Sequence, residues 1–165
     1  MSPPRPRIFR PRRWALLLVL GGALAVDWGE RRIGLAVSDP QEVIASGLAT
    51  LLVRSVTHGV EGVLRVAREV EAECVVVGLP LLMDGERGTA AETAQRFADL
   101  VREQSGLPVE TYDERLTSAL SERRLRETGV RTGHAKERVD QGAAVALLES
   151  YLMHLGARRA RGEAP

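Results

Sequence analysis

The chain has 165 residues, 44% apolar and 4% aromatic, enough for one domain with a real core. Its few aromatics exclude a single-strand binder that works by base stacking. The formal net charge of +1 conceals five arginines and no acid in residues 1–13, three arginines and one glutamate in 158–165, and 15 basic against 21 acidic residues between. A body of net charge −6 argues against a nucleic-acid binder that works without cations; it is tolerable where divalent ions neutralise several carboxylates.

Residues 1–25 imitate a secretory signal: a basic start, a short apolar stretch from Trp14 to Leu20, and Ala23-Leu24-Ala25 as an A-x-A site. Cleavage there would destroy the first strand, so the expectation is a cytoplasmic protein. Residues 1–22 then read as a disordered Arg/Pro-rich tail and lead-in, with a misplaced translation start as an open alternative. Strands are expected at Ala23 to Trp28, Ile33 to Ser38 and Gly47 to Val53, forming an antiparallel meander. Val60, Val63, Leu64, Ala67 and Val70 mark one face of a helix over about 57–72. Cys74 to Leu79 is a continuous apolar run, as a strand buried on both faces requires. Its lone cysteine cannot form an internal disulfide and reads as an inert core thiol.

Thr89 and Glu92 have the spacing of a capping box at the start of the next helix, which Gly106-Leu107-Pro108 ends. A short fifth strand, Val109 to Tyr112, leads into Asp113-Glu114. A polar helix is expected over 117–128, and a largely buried one from Ala135 to Leu155. Residues 156–165 read as a disordered basic tail, leaving a domain at 23–155. No stretch reaches the length of a membrane span.

The order βββαβαβα and the right-handed crossover rule give a five-stranded mixed sheet in the order 3-2-1-4-5 with flanking helices. This is the ribonuclease-H-like α/β arrangement. It makes the first strand central and brings the exits of strands 1 and 5 to one edge with the start of the last helix.

Four blocks then carry a family resemblance: D-W-G-E-R-R-I-G-L-A-V-S-D, V-V-V-G-L-P-L-L-M-D-G, Y-D-E-R-L-T-S and K-E-R-V-D-Q-G-A-A-V-A-L-L-E-S-Y-L. Over roughly 23–152 the chain resembles the YqgF/RuvX family, RNase H-like proteins described as Holliday-junction resolvases or pre-16S rRNA nucleases. Leu82 stands where that family usually has asparagine. The resemblance implies a nuclease acting on structured RNA or branched DNA, with no membrane role, and leaves monomer and homodimer both open.

Phosphodiester hydrolysis needs an in-line water and a stabilised leaving oxygen. Two Mg²⁺ (or Mn²⁺) ions held by carboxylates supply both. Asp27, at the exit of the central strand, is the expected bridging ligand, since an acid there is costly without a partner. Glu114 and Asp140 complete the trio, which the resemblance also implies. Strand alternation allows only one of Asp113 and Glu114 to reach the ions; Glu114 is assigned, and Asp113 is free to orient Arg115. Lys136, Arg138 and Arg115 are candidates for phosphate contact, although Lys136 is also placed to pair with Asp140 on the helix surface. Thr117 and Ser118 suit a helix cap, and Asp39 and Asp84 read as structural loop acids. Two other functions compete. An actin-like kinase would need a second domain of this fold and a second phosphate loop. A non-catalytic nucleic-acid or ribosome-binding module would carry the same acids without cleavage.

Overall fold

The computed structural model describes residues 21–117 and 135–163. In chain order it contains β1 (Ala23–Trp28), β2 (Arg32–Ser38), β3 (Ala45–Gly47), β4 (Leu51–Leu52), α1 (Val56–Glu69), β5 (Cys74–Leu79), α2 (Thr89–Ser105), β6 (Val109–Asp113) and α3 (Ala135–Ala160). The sheet order is β3-β2-β1-β5-β6, with β4 also paired to β2. β2 runs antiparallel to β1, whereas β5 and β6 run parallel to it and to each other. The expected α/β architecture and central first strand are present; the third strand differs.

Instead of one strand over 47–53, two short strands share the edge of β2. Ala36 pairs with Gly47 and Ile33 with Leu51, so three steps on β2 face four on the outer strand. One extra residue bulges the edge and splits it, which makes the sheet six-stranded. The Leu48 N–H still donates to the Leu35 carbonyl (2.8 Å), keeping the edge attached across the break.

Alternation along the central strands sorts two cores. Leu24, Val26, Ile33, Leu35, Val75 and Val77 face one side, where α1 and α2 deliver Val60, Val63, Phe97 and Val101. Ala23, Ala25, Ala36 and Val76 face the other, where α3 packs Ala144, Leu147, Leu148, Tyr151 and Leu152. Mostly small strand residues on that side let the long helix lie close. Burial on both faces explains the uninterrupted apolar runs of β1 and β5. Cys74 is partly buried there, and desolvation pushes its thiol up to about 11, as an inert thiol requires.

α1 begins at Ser55, whose hydroxyl accepts the His58 N–H (3.1 Å). Its Gly59 lies against Trp28: a Cβ there would sit 2.8 Å from the Trp28 ring. The Trp28 and Phe97 rings stack at 4.5 Å, so both helices press on the exit of β1. The capping box expected from Thr89 and Glu92 does not form. Gly88 is the N-cap, without a side-chain bond, and the Thr93 hydroxyl donates back to the Thr89 carbonyl. Gly106, left-handed at φ 70°, closes α2.

α3 continues past Leu155 to Ala160, so residues 156–160 are its last turns and not the start of a disordered tail. Arg158 and Arg159 favour the negative end of the helix dipole, and Arg158 and Arg161 both pair with Glu163. Arg159 also pairs with Glu42 (2.6 Å) in the loop after β2. The expected N-terminal tail (1–20) and polar helix (117–128, beyond Thr117) lie outside the described residues, as do Ser118 and the side chains of Lys136, Arg138 and Asp140.

Candidate active site

Asp27 sits one residue from the end of β1, opposite Gly34 of β2. Val26 is level with Val77 of β5, which puts Asp27 beside Gly78. Gly78 in turn is level with Tyr112 of β6, and Leu79 with Asp113. Glu114 follows immediately, its N–H donating to the Leu79 carbonyl at 3.2 Å. β5 therefore separates the strands that deliver the two acids.

The Glu114 side chain crosses that gap by lying over Gly78. A Cβ on residue 78 would collide with Glu114 Oε1 and stand 3.1 Å from its Cγ. A glycine inside a strand commonly marks such a close approach. Glu114 thereby reaches Asp27, and their carboxyls share a hydrogen bond. Burial, the Asp27 charge, that hydrogen bond and the Asp113 charge together push the Glu114 carboxyl up to about 7. Two half-buried acids crowded together resist double ionisation. A divalent cation would relieve that repulsion, and the hard oxygen donors suit Mg²⁺ or Mn²⁺. The residues present thus fit such an ion.

Asp113 turns elsewhere. Its carboxylate accepts the Arg115 backbone N–H (3.0 Å), Nε–H (3.1 Å) and Nη2–H (2.6 Å). This partner holds Asp113 below the usual carboxylate range. Arg115 Nη1 lies 3.5 Å from the Met83 carbonyl on the β5–α2 loop. Glu114's own carbonyl accepts from the Thr117 N–H (2.9 Å) and hydroxyl (2.7 Å), so Thr117 holds the turn that carries the acid.

Asp140 lies in the first turns of α3. The opposite end of that helix is fixed to the loop after β2 by Arg159 and Glu42, so the Asp140 turns are the ones farthest from that loop. Among the described residues no group of three or more His, Cys, Asp or Glu side chains stands ready to hold a metal; the Asp140 side chain lies outside them. Asp39 and Asp84 serve loops: Asp39 accepts the Val43 and Ile44 N–H groups (2.8 and 2.7 Å), and Asp84 that of Glu86 (2.9 Å). Sequence reading missed Gly78, for which the isolated glycine in V-V-V-G-L was the available signal. It also missed Trp28 as the residue that packs the end of β1 against α1 and α2, which no local pattern marks.

A family described as RuvX, Holliday junction resolvase, matches residues 21–154. The chain belongs to the RuvX family. Among its relatives, a Chloroflexus aurantiacus protein is 45% identical over 129 residues, 78% of this chain and 84% of its own. One from Koribacter versatilis is 40% identical over 141 residues, 86% of this chain and 92% of its own. Both bear the name "Putative pre-16S rRNA nuclease". Among solved structures, Thermus thermophilus RuvC in complex with a Holliday junction superposes with a TM-score of 0.55 at 19% identity, covering 81% of this chain and 95% of that one. The fold is that of RuvC, an RNase H-like α/β fold.

Proposed function

We propose that this RuvX-family protein is a divalent-metal-dependent endonuclease that processes the 5′ end of pre-16S rRNA in the cytoplasm. The observation that carries the reading is the Asp27–Glu114 pair, drawn from two strands that are not neighbours and brought together over a glycine. The names of the relatives support the substrate.

Asp27, Glu114 and Asp140 would hold Mg²⁺ or Mn²⁺, which when bound lowers the pKa of an attacking water and stabilises charge on the leaving oxygen. Asp27 is fixed by its ladder pairing with Gly34 of β2 and by the pairing of the preceding Val26 with Val77 of β5. Glu114 is fixed by its backbone bonds to Leu79 and Thr117. Burial and the neighbouring Asp27 charge push the Glu114 carboxyl up to about 7, so a bound cation would favour the ionised form of both acids. Lys136 and Arg138, in the same segment of the sequence as Asp140, would supply the cationic contacts to substrate phosphates.

A second reading, resolution of branched DNA, is favoured by the description of the matching family. It uses the same acids and needs two copies related by a two-fold axis, one for each strand cut. The deciding experiment presents purified protein and Mg²⁺ with a 5′-extended 16S precursor and, separately, a four-way junction. Cleavage of the precursor at the mature 5′ end, absent with Asp27→Asn, supports the rRNA reading. Symmetric cutting of the junction alone replaces it with the second. If wild type cuts neither, the enzymatic reading fails.

A further inference from the structure

Arg115 is an obvious candidate for phosphate contact, being a cation one residue from an active-site acid. Its surroundings show a different use. The Asp113 carboxylate takes its backbone N–H, its Nε–H and its Nη2–H, a forked geometry that only a guanidinium provides. The remaining edge, Nη1, points at the Met83 carbonyl and lies 3.4 Å from where a Cβ on Gly85 would stand. The loop it meets is itself built: the Leu82 N–H donates to the Glu86 carbonyl (2.9 Å), the Gly85 N–H to the Leu82 carbonyl (2.8 Å) and the Glu86 N–H to Asp84 (2.9 Å). Gly85 turns at φ +88°, a conformation that favours glycine.

Glu114 stands between Asp113 and Arg115 in the chain. Closing the ion pair between its two neighbours fixes the turn on which Glu114 projects across Gly78 to Asp27. We propose that Asp113 and Arg115 are a positioning pair: together they aim Glu114 at Asp27 and tie the 81–88 loop to the rim of the site, and Arg115 does not serve as a phosphate ligand. The metal arm of this proposal rests on the reading above; the loop arm does not.

The two roles of Arg115 predict opposite results. A lost phosphate contact lowers the salt slope of substrate binding by about one ion and leaves metal affinity unchanged. A lost positioning group weakens the metal site and leaves the slope unchanged. Mn²⁺ affinity of the full chain, measured without nucleic acid by electron paramagnetic resonance, should fall on the order of tenfold in both Asp113→Asn and Arg115→Gln. The double variant should be no weaker than either single, because the pair acts as a unit. Arg115→Lys should not restore affinity, since an ammonium cannot reproduce the fork. Amide hydrogen exchange of Leu82 and Gly85 should accelerate in both single variants while that of β1 stays unchanged. Unaltered Mn²⁺ affinity with a reduced salt slope in Arg115→Gln overturns the proposal. So does unchanged exchange at Leu82 and Gly85. If wild type binds no Mn²⁺, the metalloenzyme reading fails, and loop exchange alone decides whether the clamp exists.

Discussion

Two acids at opposite ends of the sheet are treated in opposite ways. At the entry end of β1, Asp39 accepts two backbone N–H groups from the turn it helps to form, and the Ile44 bond, first among several, holds its carboxyl below the ordinary range. Beside it, the buried Ser38 hydroxyl accepts the Ala23 N–H (2.9 Å) and donates to the Asp39 carbonyl (3.0 Å). At the exit end, Glu114 is half-buried, pressed against Asp27, and pushed up to about 7. One end uses its acid to build structure. The other crowds two acids at a cost in stability, and the fold sustains that cost through the cores on both faces of the sheet. Crowded acids with a strongly raised carboxyl are a mark of a functional site.

The contrast breaks most visibly at Asp27. Asp27→Asn should keep its shape and circular dichroism and lose cleavage by at least on the order of a hundredfold, about 3 kcal/mol of transition-state stabilisation. Turnover at the wild-type rate in Mg²⁺ or Mn²⁺ would show that the exit-end acids are not the reacting site.

Next is Gly78→Ala. The new methyl meets the Glu114 carboxylate, so the variant should lose both turnover and about 1–3 kcal/mol of stability. The companion Gly78→Ala/Glu114→Ala should recover most of the stability and none of the activity, because shortening residue 114 empties the space. Denaturant melts of the four proteins in the cycle measure this; an additive result would mean that Glu114 does not lie over residue 78.

These two residues also show where the sequence is legible. β1 and β5 appear with the boundaries expected, since burial on both faces leaves an unbroken apolar run that local reading detects. Asp27 is conspicuous for the same reason, as a charge ending such a run. The split of the outer strand was hidden because its extra residue is defined only by pairing with β2. Thr89 and Glu92 have capping-box spacing, yet Gly88 takes the cap; spacing does not reveal where the chain enters the helix. Glu114 reaching Asp27 across Gly78 is a three-strand relation. The sequence holds each member and not their register: alternation favours one acid of Asp113 and Glu114, while the structure shows Glu114 over Gly78 and Asp113 paired with Arg115.

A smaller effect sharpens the electrostatic side of the contrast. Because the Glu114 carboxyl lies near 7 when folded, against an ordinary value of 4.5, the native protein binds more protons than the unfolded chain between those values. In metal-free buffer its stability should therefore fall as pH rises through that window. Glu114→Gln removes the titration. It should be more stable than wild type above pH 7 by about 1–2 kcal/mol after allowance for solvent screening, with the advantage vanishing below pH 4.5. Thermal melts in EDTA across pH measure it, and added Mg²⁺ should narrow the difference by stabilising wild type. Equal slopes for the two proteins would remove the coupling between Asp27 and Glu114.

The smallest expected effect is at the entry end, and it has the opposite sign. Asp39 is depressed by its backbone donors, so its contribution to stability is present above the ordinary carboxylate range and is lost as pH falls through its folded value. Asp39→Ala should lower the melting temperature modestly at neutral pH, with the difference from wild type shrinking in acid. Cleavage by the variant should remain at the wild-type rate, since the turn it loosens lies at the far end of β1 from Asp27. The two ends can then be separated in one pair of pH titrations. Wild type minus Asp39→Ala should close towards low pH, and wild type minus Glu114→Gln should open towards high pH. A loss of cleavage in Asp39→Ala without unfolding would mean that the entry-end turn reaches the site through β2, and the division of labour between the two ends would be wrong.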